Sequence, residues 1–275
     1  MTMSTTNIKA SLIITHYKRV DFLEQVMKSI AKQSTQDFEV IIAEDADDQE
    51  TVEFVKRWQQ KLPMPLKHAS QPDNGFQRAK CINNGVKLAS GELLVFIDGD
   101  CVLHPQYMHE YISAHRENIC LYGRRVNLSE GLTQEVINQD KPLSLINILL
   151  SRSSRKEDGI YFPTSVIKRP RRGITGHSIG ISRAVLEKVN GFDEDFTSYG
   201  AEETDLENRL EKLGGIEFVS LRMRALQYHL WHPTRSNPQR IEVKDGMTTD
   251  ELAAHKATSP YYYCKNGLVK LKDGS

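Results

Sequence analysis

With 275 residues, 36 basic and 36 acidic side chains and no net charge, the chain is long enough for one large α/β domain and lacks the basic excess of a nucleic-acid binder. Cys81, Cys101, Cys120 and Cys264 have neither CxxC spacing nor the density of a disulfide scaffold, which points to reduced thiols in a cytoplasmic protein. The polar N-terminus is unlike a secretory signal and the apolar run 143–150 is too short to span a bilayer, so any membrane contact is expected to be peripheral.

Residues 10–14 read as a strand ended by Thr15-His16-Tyr17-Lys18-Arg19, and 20–30 carry apolar residues at helical spacing. The design repeats. Residues 38–43 form a second apolar run, closed by Glu44-Asp45, before an amphipathic stretch at 51–62 that Pro63 and Pro65 terminate. A short strand at 66–69, a turn at Gln71-Pro72-Asp73-Asn74-Gly75 and a helix at 76–89 lead to Leu93-Leu94-Val95-Phe96-Ile97-Asp98-Gly99-Asp100.

In that stretch five strand-forming residues end in two carboxylates, Asp98 and Asp100, one residue apart. In an open α/β sheet the ligand crevice lies at the carboxyl ends of the strands, so both acids would stand at its rim, where close carboxylates favour a cation such as Mg²⁺ or Mn²⁺. An Asp-Gly turn at a strand end gives the same letters without a metal. No GxGxxG follows the first strand and no GxxxxGK[ST] occurs, so nucleotide phosphates would have to be held by metal or side chains.

Beyond His104-Pro105 the sequence predicts a helix at 106–117 and a strand at 121–126, then weaker helical character over 133–150. Arg152, Arg155, Lys156, Lys168, Arg169, Arg171 and Arg172 crowd a long loop, either a solvated face or an anion-binding lid. A short strand at 176–182 and a helix at 184–189 follow. Residues 198–205 open a further helix with Glu202, Glu203 and Asp205 in its first turn, where the helix dipole alone accounts for acids. After strands at 217–221 and 225–228, His229 and His232 are spaced to face one metal ion. A helix at 249–256 and the aromatic run 261–263 read as a tail packed on the domain.

Taken together, the segment 12–19, Glu44-Asp45, Phe76-Gln77-Arg78-Ala79-Lys80, Asp98-Gly99-Asp100, Gly191-Phe192-Asp193, Glu202-Glu203-Thr204-Asp205, His229-x-x-His232 and Asn237-Pro238-Gln239-Arg240 resemble, in this order, the inverting glycosyltransferases of the GT-A fold. The resemblance is to the family 2 type and its β-1,4-galactosyltransferase relatives, and it covers residues 10–240. It implies an α/β, Rossmann-like single domain with a mostly parallel central sheet flanked by helices. Residues 1–105 would bind the nucleotide sugar, 106–232 with the basic loop 151–173 would bind the acceptor and carry catalysis, and 233–275 would be the packed tail.

The resemblance also implies roles. Thr15, Tyr17, Arg19, Glu44, Asp45, Phe76 and Arg78 would hold the base and ribose, with Asp98. Asp98, Asp100, His229 and His232 would bind Mn²⁺ or Mg²⁺, Glu203 would be the base, and Glu202 or Asp205 would bind acceptor hydroxyls. The partners would be a UDP-sugar and a glycan or lipid-linked saccharide, as in surface polysaccharide or lipopolysaccharide synthesis. Two departures stand out: Glu203 replaces the family's Asp, and Tyr199-Gly200-Ala201 replaces a tryptophan-rich acceptor wall, while Ile174 is the nearest counterpart of the donor-tuning position. The competing readings are a sugar nucleotidyltransferase, which would want a glycine-rich phosphate loop, and an inactive binding module of the same fold.

Overall fold

The computed structural model describes residues 8–163, 173–233 and 242–271. Strands β1 (Ala10–His16), β2 (Phe38–Glu44), β3 (Leu66–Ser70) and β4 (Leu93–Asp98) run parallel, joined by helices α1 (Val20–Ile30), α2 (Gln49–Gln59) and α3 (Arg78–Leu88). Successive side chains of a strand point to opposite faces, and here both faces are buried. Leu12, Ile14, Val40, Ile42, Val95 and Ile97 pack on α1 and α2, whereas Ile13, Ile41, Leu94 and Phe96 pack on α3. This two-sided burial explains apolar runs without polar alternation, and it leaves the strand ends as the place where polar side chains emerge.

The second half adds β5 (Cys101–Leu103), α4 (Tyr107–Ala114), β6 (Ile119–Tyr122), β7 (Arg124–Asn127), α5 (Glu130–Gln139), α6 (Leu145–Leu150), β8 (Ile179–Ser182), α7 (Arg183–Lys188), α8 (Glu202–Leu213), β9 (Glu217–Ser220) and β10 (Leu226–His229). The main sheet has the order β3-β2-β1-β4-β8-β6-β9, with β8 antiparallel to both neighbours, and a second sheet has the order β5-β10-β7. The sheet is thus mostly parallel and flanked by helices.

The strand expected at 121–126 is two strands in different sheets. Gly123 breaks it: its N–H donates to the Ser178 carbonyl at 3.0 Å, and a Cβ there would lie 2.2 Å from Ser178 Oγ. The helical stretch expected at 133–150 is likewise two helices, because Asp140 takes a left-handed cap (φ 53°) and Pro142 follows. Arg152, Arg155 and Lys156 come directly after α6, whereas Lys168, Arg169, Arg171, Arg172 and the motif Asn237-Pro238-Gln239-Arg240 lie outside the described residues.

A hairpin, β11 (Glu242–Lys244) and β12 (Met247–Thr248), leads into α9 (Thr249–Thr258), which packs on α8. Lys256 of α9 pairs with Asp193 and with Asp195, the latter at 2.9 Å, and Asn190 Nδ2 donates to the carbonyls of Cys264 and Val269 at 2.8 Å each. All four cysteines are buried free thiols. No helix among the described residues is long and apolar enough to cross a membrane.

The joint between β1 and β4 leaves no room at Gly91, where a Cβ would fall 2.5 Å from the Ala10 carbonyl carbon and 2.6 Å from the Ser11 nitrogen. Gly91→Ala is therefore expected to cost about 1–3 kcal/mol, seen as a lower urea midpoint at unchanged slope.

Candidate active site

The carboxyl ends of β1, β2 and β4 open on one edge of the sheet. A cavity of about 170 Å³ lies there, lined by Thr15, His16, Tyr17, Asp45, Phe76 and Arg78, with Gly75 and Cys81. Asp45 is fixed by the Gln77 N–H at 2.8 Å and by Gln71 Nε2 at 2.6 Å, and burial raises its pKa. Tyr17 Oη donates to Asp73 at 3.3 Å, and burial drops the His16 imidazole to about 4.

Besides Asp98, two residues expected in this lining stand outside it. Glu44 is fully buried and turned the other way from Asp45, with His68 Nε2 at 2.8 Å and the Asp48 N–H at 3.3 Å. Strand alternation sends adjacent acids to opposite faces. Arg19 grips Asp21 with bonds of 2.9 and 2.8 Å and lies 3.7 Å over the Phe22 ring, on the side of Asp100 rather than of the cavity.

Between the two acids of β4's end, Gly99 donates to the Thr15 carbonyl at 2.8 Å, and its missing Cβ would sit 2.8 Å from the same oxygen. That close approach lets Asp98 and Asp100 find separate partners. Asp98 accepts Thr15 Oγ1 at 3.2 Å, Arg78 at 3.0 Å and Arg125 at 3.4 Å. Burial opposes its ionisation, but the two guanidiniums outweigh burial and hold its pKa below the usual range. Asp100 Oδ2 meets His229 Nε2 and His232 Nε2, each at 3.3 Å, and these contacts overcome burial to push its pKa well down.

Histidine spacing works here because β10 ends at His229 and the Leu230 N–H donates to the Asp100 carbonyl at 2.9 Å, so the next turn swings His232 back. Ligand atoms of Asp100, His229 and His232 lie within 4.8 Å of one another, as do those of Asp98, Asp100 and Cys101. One carboxylate with two imidazoles suits a first-row ion such as Mn²⁺ better than Mg²⁺.

Facing Asp98 across the cleft, Gly200 (φ 100°) and Ala201 (φ 69°) turn the chain into α8. Arg78 reaches over, its Nη1 donating to Glu203 at 2.7 Å and Glu202 at 3.2 Å, its Nη2 to Asp98 and to the Gly176 carbonyl at 3.2 Å. Burial and the neighbouring Glu203 push Glu202 up to about 7. Gly176 leaves the space Glu203 occupies, since a Cβ there would clash with its carboxylate.

Asp205, expected to bind acceptor, is instead buried and paired at 2.7 Å with Arg209, which also holds the carbonyls of Val189 and Gly191. That acid is part of the frame. Three buried or half-buried groups at the site escaped the sequence: Arg125, Gln227 and His177, whose Nδ1 lies 2.6 Å from Gln227 Nε2. Burial, with Arg125 beside it, drops His177 to about 3, so it stays neutral. The one available signal was Arg124-Arg125 interrupting an apolar run.

Residues 11–189 match the model of glycosyl transferase family 2, and residues 160–232 match the one described as the N-terminal domain of galactosyltransferase. Validoxylamine A glucosyltransferase from Streptomyces hygroscopicus subsp. jinggangensis is 26% identical over 219 residues, covering 74% of this chain and 51% of its own. Chondroitin synthase from Pasteurella multocida is 25% identical over 97% of this chain and 29% of its own. The chain thus spans about half or less of these curated relatives. Among solved structures, GalNAc-T7 with UDP, GalNAc and Mn²⁺ superposes with a TM-score of 0.58 at 16% identity, over 86% of this chain and 46% of that one, a likeness of fold.

Because Asp205 neutralises a buried guanidinium, Asp205→Ala is expected to lower stability by about 3–5 kcal/mol in urea denaturation. An unchanged urea midpoint together with a raised KM for an acceptor would return it to the acceptor site.

Proposed function

Since this chain belongs to glycosyl transferase family 2, we propose that it is a metal-dependent inverting glycosyltransferase, moving a hexose such as Gal or GalNAc from a UDP-sugar to a hydroxyl of a glycan or lipid-linked saccharide. Surface polysaccharide or lipopolysaccharide synthesis at the cytoplasmic side of a membrane is the setting that suits it. The observation carrying this reading is Arg78, one guanidinium that touches Asp98 at the end of β4 and both Glu202 and Glu203 at the start of α8. A donor site and a base are thereby held in one cleft.

In this reading Thr15, Tyr17, Asp45 and Phe76 receive the base and ribose in the cavity they line. Asp100, His229 and His232, with Asp98 beside them, would hold Mn²⁺, which would supply charge neutralisation for the leaving diphosphate. Arg125, next to Asp98, adds a fixed positive charge on the same side. Glu203 accepts the proton of the acceptor hydroxyl, which attacks the anomeric carbon from the face opposite the diphosphate. Glu202, deeper and with a pKa near 7, shares Arg78 with it and fixes its direction. Exposed Tyr199, 6.2 Å edge-on from Phe76, offers the acceptor an aromatic face where the relatives' tryptophans are missing.

The names of the relatives support sugar transfer, and the GalNAc-T7 structure, with its UDP and Mn²⁺, supports the choice of nucleotide and ion. In thermal melts, UDP with Mn²⁺ at a hundred times its dissociation constant is expected to add about 2.7 kcal/mol of stability, lost on chelation and in Asp100→Ala. No shift with any nucleotide would overturn the donor site. For Glu203→Gln, UDP release in the presence of acceptor is expected to fall about 10²–10⁴-fold while the UDP-dependent shift persists. Wild type that binds UDP yet releases none from any donor and acceptor pair would be a binding module instead.

A further inference from the structure

Helix α6 is built inside out for a helix on a protein surface. Only Ile148 turns inward, into the core around β7 and β10, while Leu145, Ile146, Leu149 and Leu150 are 41, 68, 50 and 83% exposed. Positions 146, 149 and 150 share one face by their i, i+3, i+4 spacing, so the exposed groups form a continuous apolar ridge. Monomeric proteins seldom leave such a ridge bare. The helix is held rigidly in this pose: Ser144 caps its start at Asn147 N, and Lys156 Nζ ties the Leu149 carbonyl at 2.8 Å and also the Ser151 carbonyl.

The first charges that follow the ridge in the chain are positive, while Glu130 and Glu135, the latter paired with Lys141, line the adjoining groove. Arg152 and Arg155 follow it, exposed, and neither makes an ion pair among the described residues. The acids that come next, Glu157 and Asp158, are both engaged by Arg222. Apolar side chains beside unneutralised arginines complement an interface with lipid below and negative headgroups above. A second copy of the chain would instead set these arginines against their own kind. We propose that α6, with Arg152 and Arg155, docks the protein on an anionic lipid bilayer.

The position gives the docking a purpose. Leu150, Ser151 and Arg152 line a groove of about 840 Å³ together with Trp231, which stands between His229 and His232 in the chain. A bilayer on α6 would bring the groove, and with it the histidine corner, to the headgroup level. The surface is read from α6 and its flanking charges, so its test needs neither donor nor acceptor.

The full chain is floated with vesicles of phosphatidylcholine containing about 30 mol% phosphatidylglycerol, and with phosphatidylcholine alone. Binding is expected on the anionic vesicles, at least about tenfold weaker on the neutral ones, and reduced by salt. Ile146→Asn with Leu149→Asn, and separately Arg152→Glu with Arg155→Glu, are each expected to weaken it by about tenfold or more with the thermal midpoint unchanged. Failure to float with anionic vesicles overturns the proposal, as does flotation that neither pair of substitutions alters. A wild-type dimer in light scattering that Ile146→Asn with Leu149→Asn dissolves would also overturn it, assigning the ridge to a second copy.

Discussion

Three carboxylates share one guanidinium at the centre of this protein. Asp98 comes from the sheet, Glu202 and Glu203 from the first turn of a helix more than a hundred residues later, and Arg78 lies between them at 2.7 to 3.2 Å. At a separation of 4 Å two like charges repel by about 4 kcal/mol even in a fairly polar protein environment, so three acids would not gather unaided. Arg78 makes the gathering possible, and burial does not discharge it, because its acidic neighbours raise its pKa further. The half of the chain that carries the strand-end cavity and the half that carries the acidic helix are joined through this cation.

A second device works by backbone. The Leu230 N–H on the Asp100 carbonyl registers the second sheet against the end of β4, and two imidazoles then converge on one carboxylate oxygen. Glycines make both devices possible by being absent side chains: Gly99 under Thr15, and Gly176 under Glu203. Each sits where a neighbour's polar atom needs the space, and neither has a positive φ. Their use here is volume, not backbone freedom.

Most of the fold was legible because two-sided burial writes long apolar runs, and because turns and prolines punctuate them. The first four strands, their helices and the acids at the ends of β4 and of the turn into α8 follow from that alone. The sequence was less informative where a break depends on a tertiary contact. Gly123 ends β6 because Ser178 leaves no room, and Ser178 is fifty-five residues away. Roles were harder still. Glu44 and Asp45 look equivalent as letters, yet alternation buries one and presents the other. Asp205 looks like its neighbours Glu202 and Glu203, but it stands two residues past Glu203, on nearly the opposite side of the helix, and Arg209 four residues on is its partner. His177 and Gln227 left no trace, since a neutral buried pair has no pattern of its own.

The chain's zero net charge conceals a division of labour between these charges. At the cleft, two cations are committed to carboxylates: Arg78 to three, and Arg125 to Asp98. At α6, Arg152 and Arg155 are left without an ion pair among the described residues, beside exposed Leu149 and Leu150. Committed charges in a half-buried cleft are fixed in direction and insensitive to salt, which suits the orientation of a nucleotide diphosphate. Uncommitted charges on an exposed rim act at longer range and yield to salt, which suits reversible attachment to a charged surface. His177, kept neutral by burial and by Arg125 beside it, adds no further cation to the cleft.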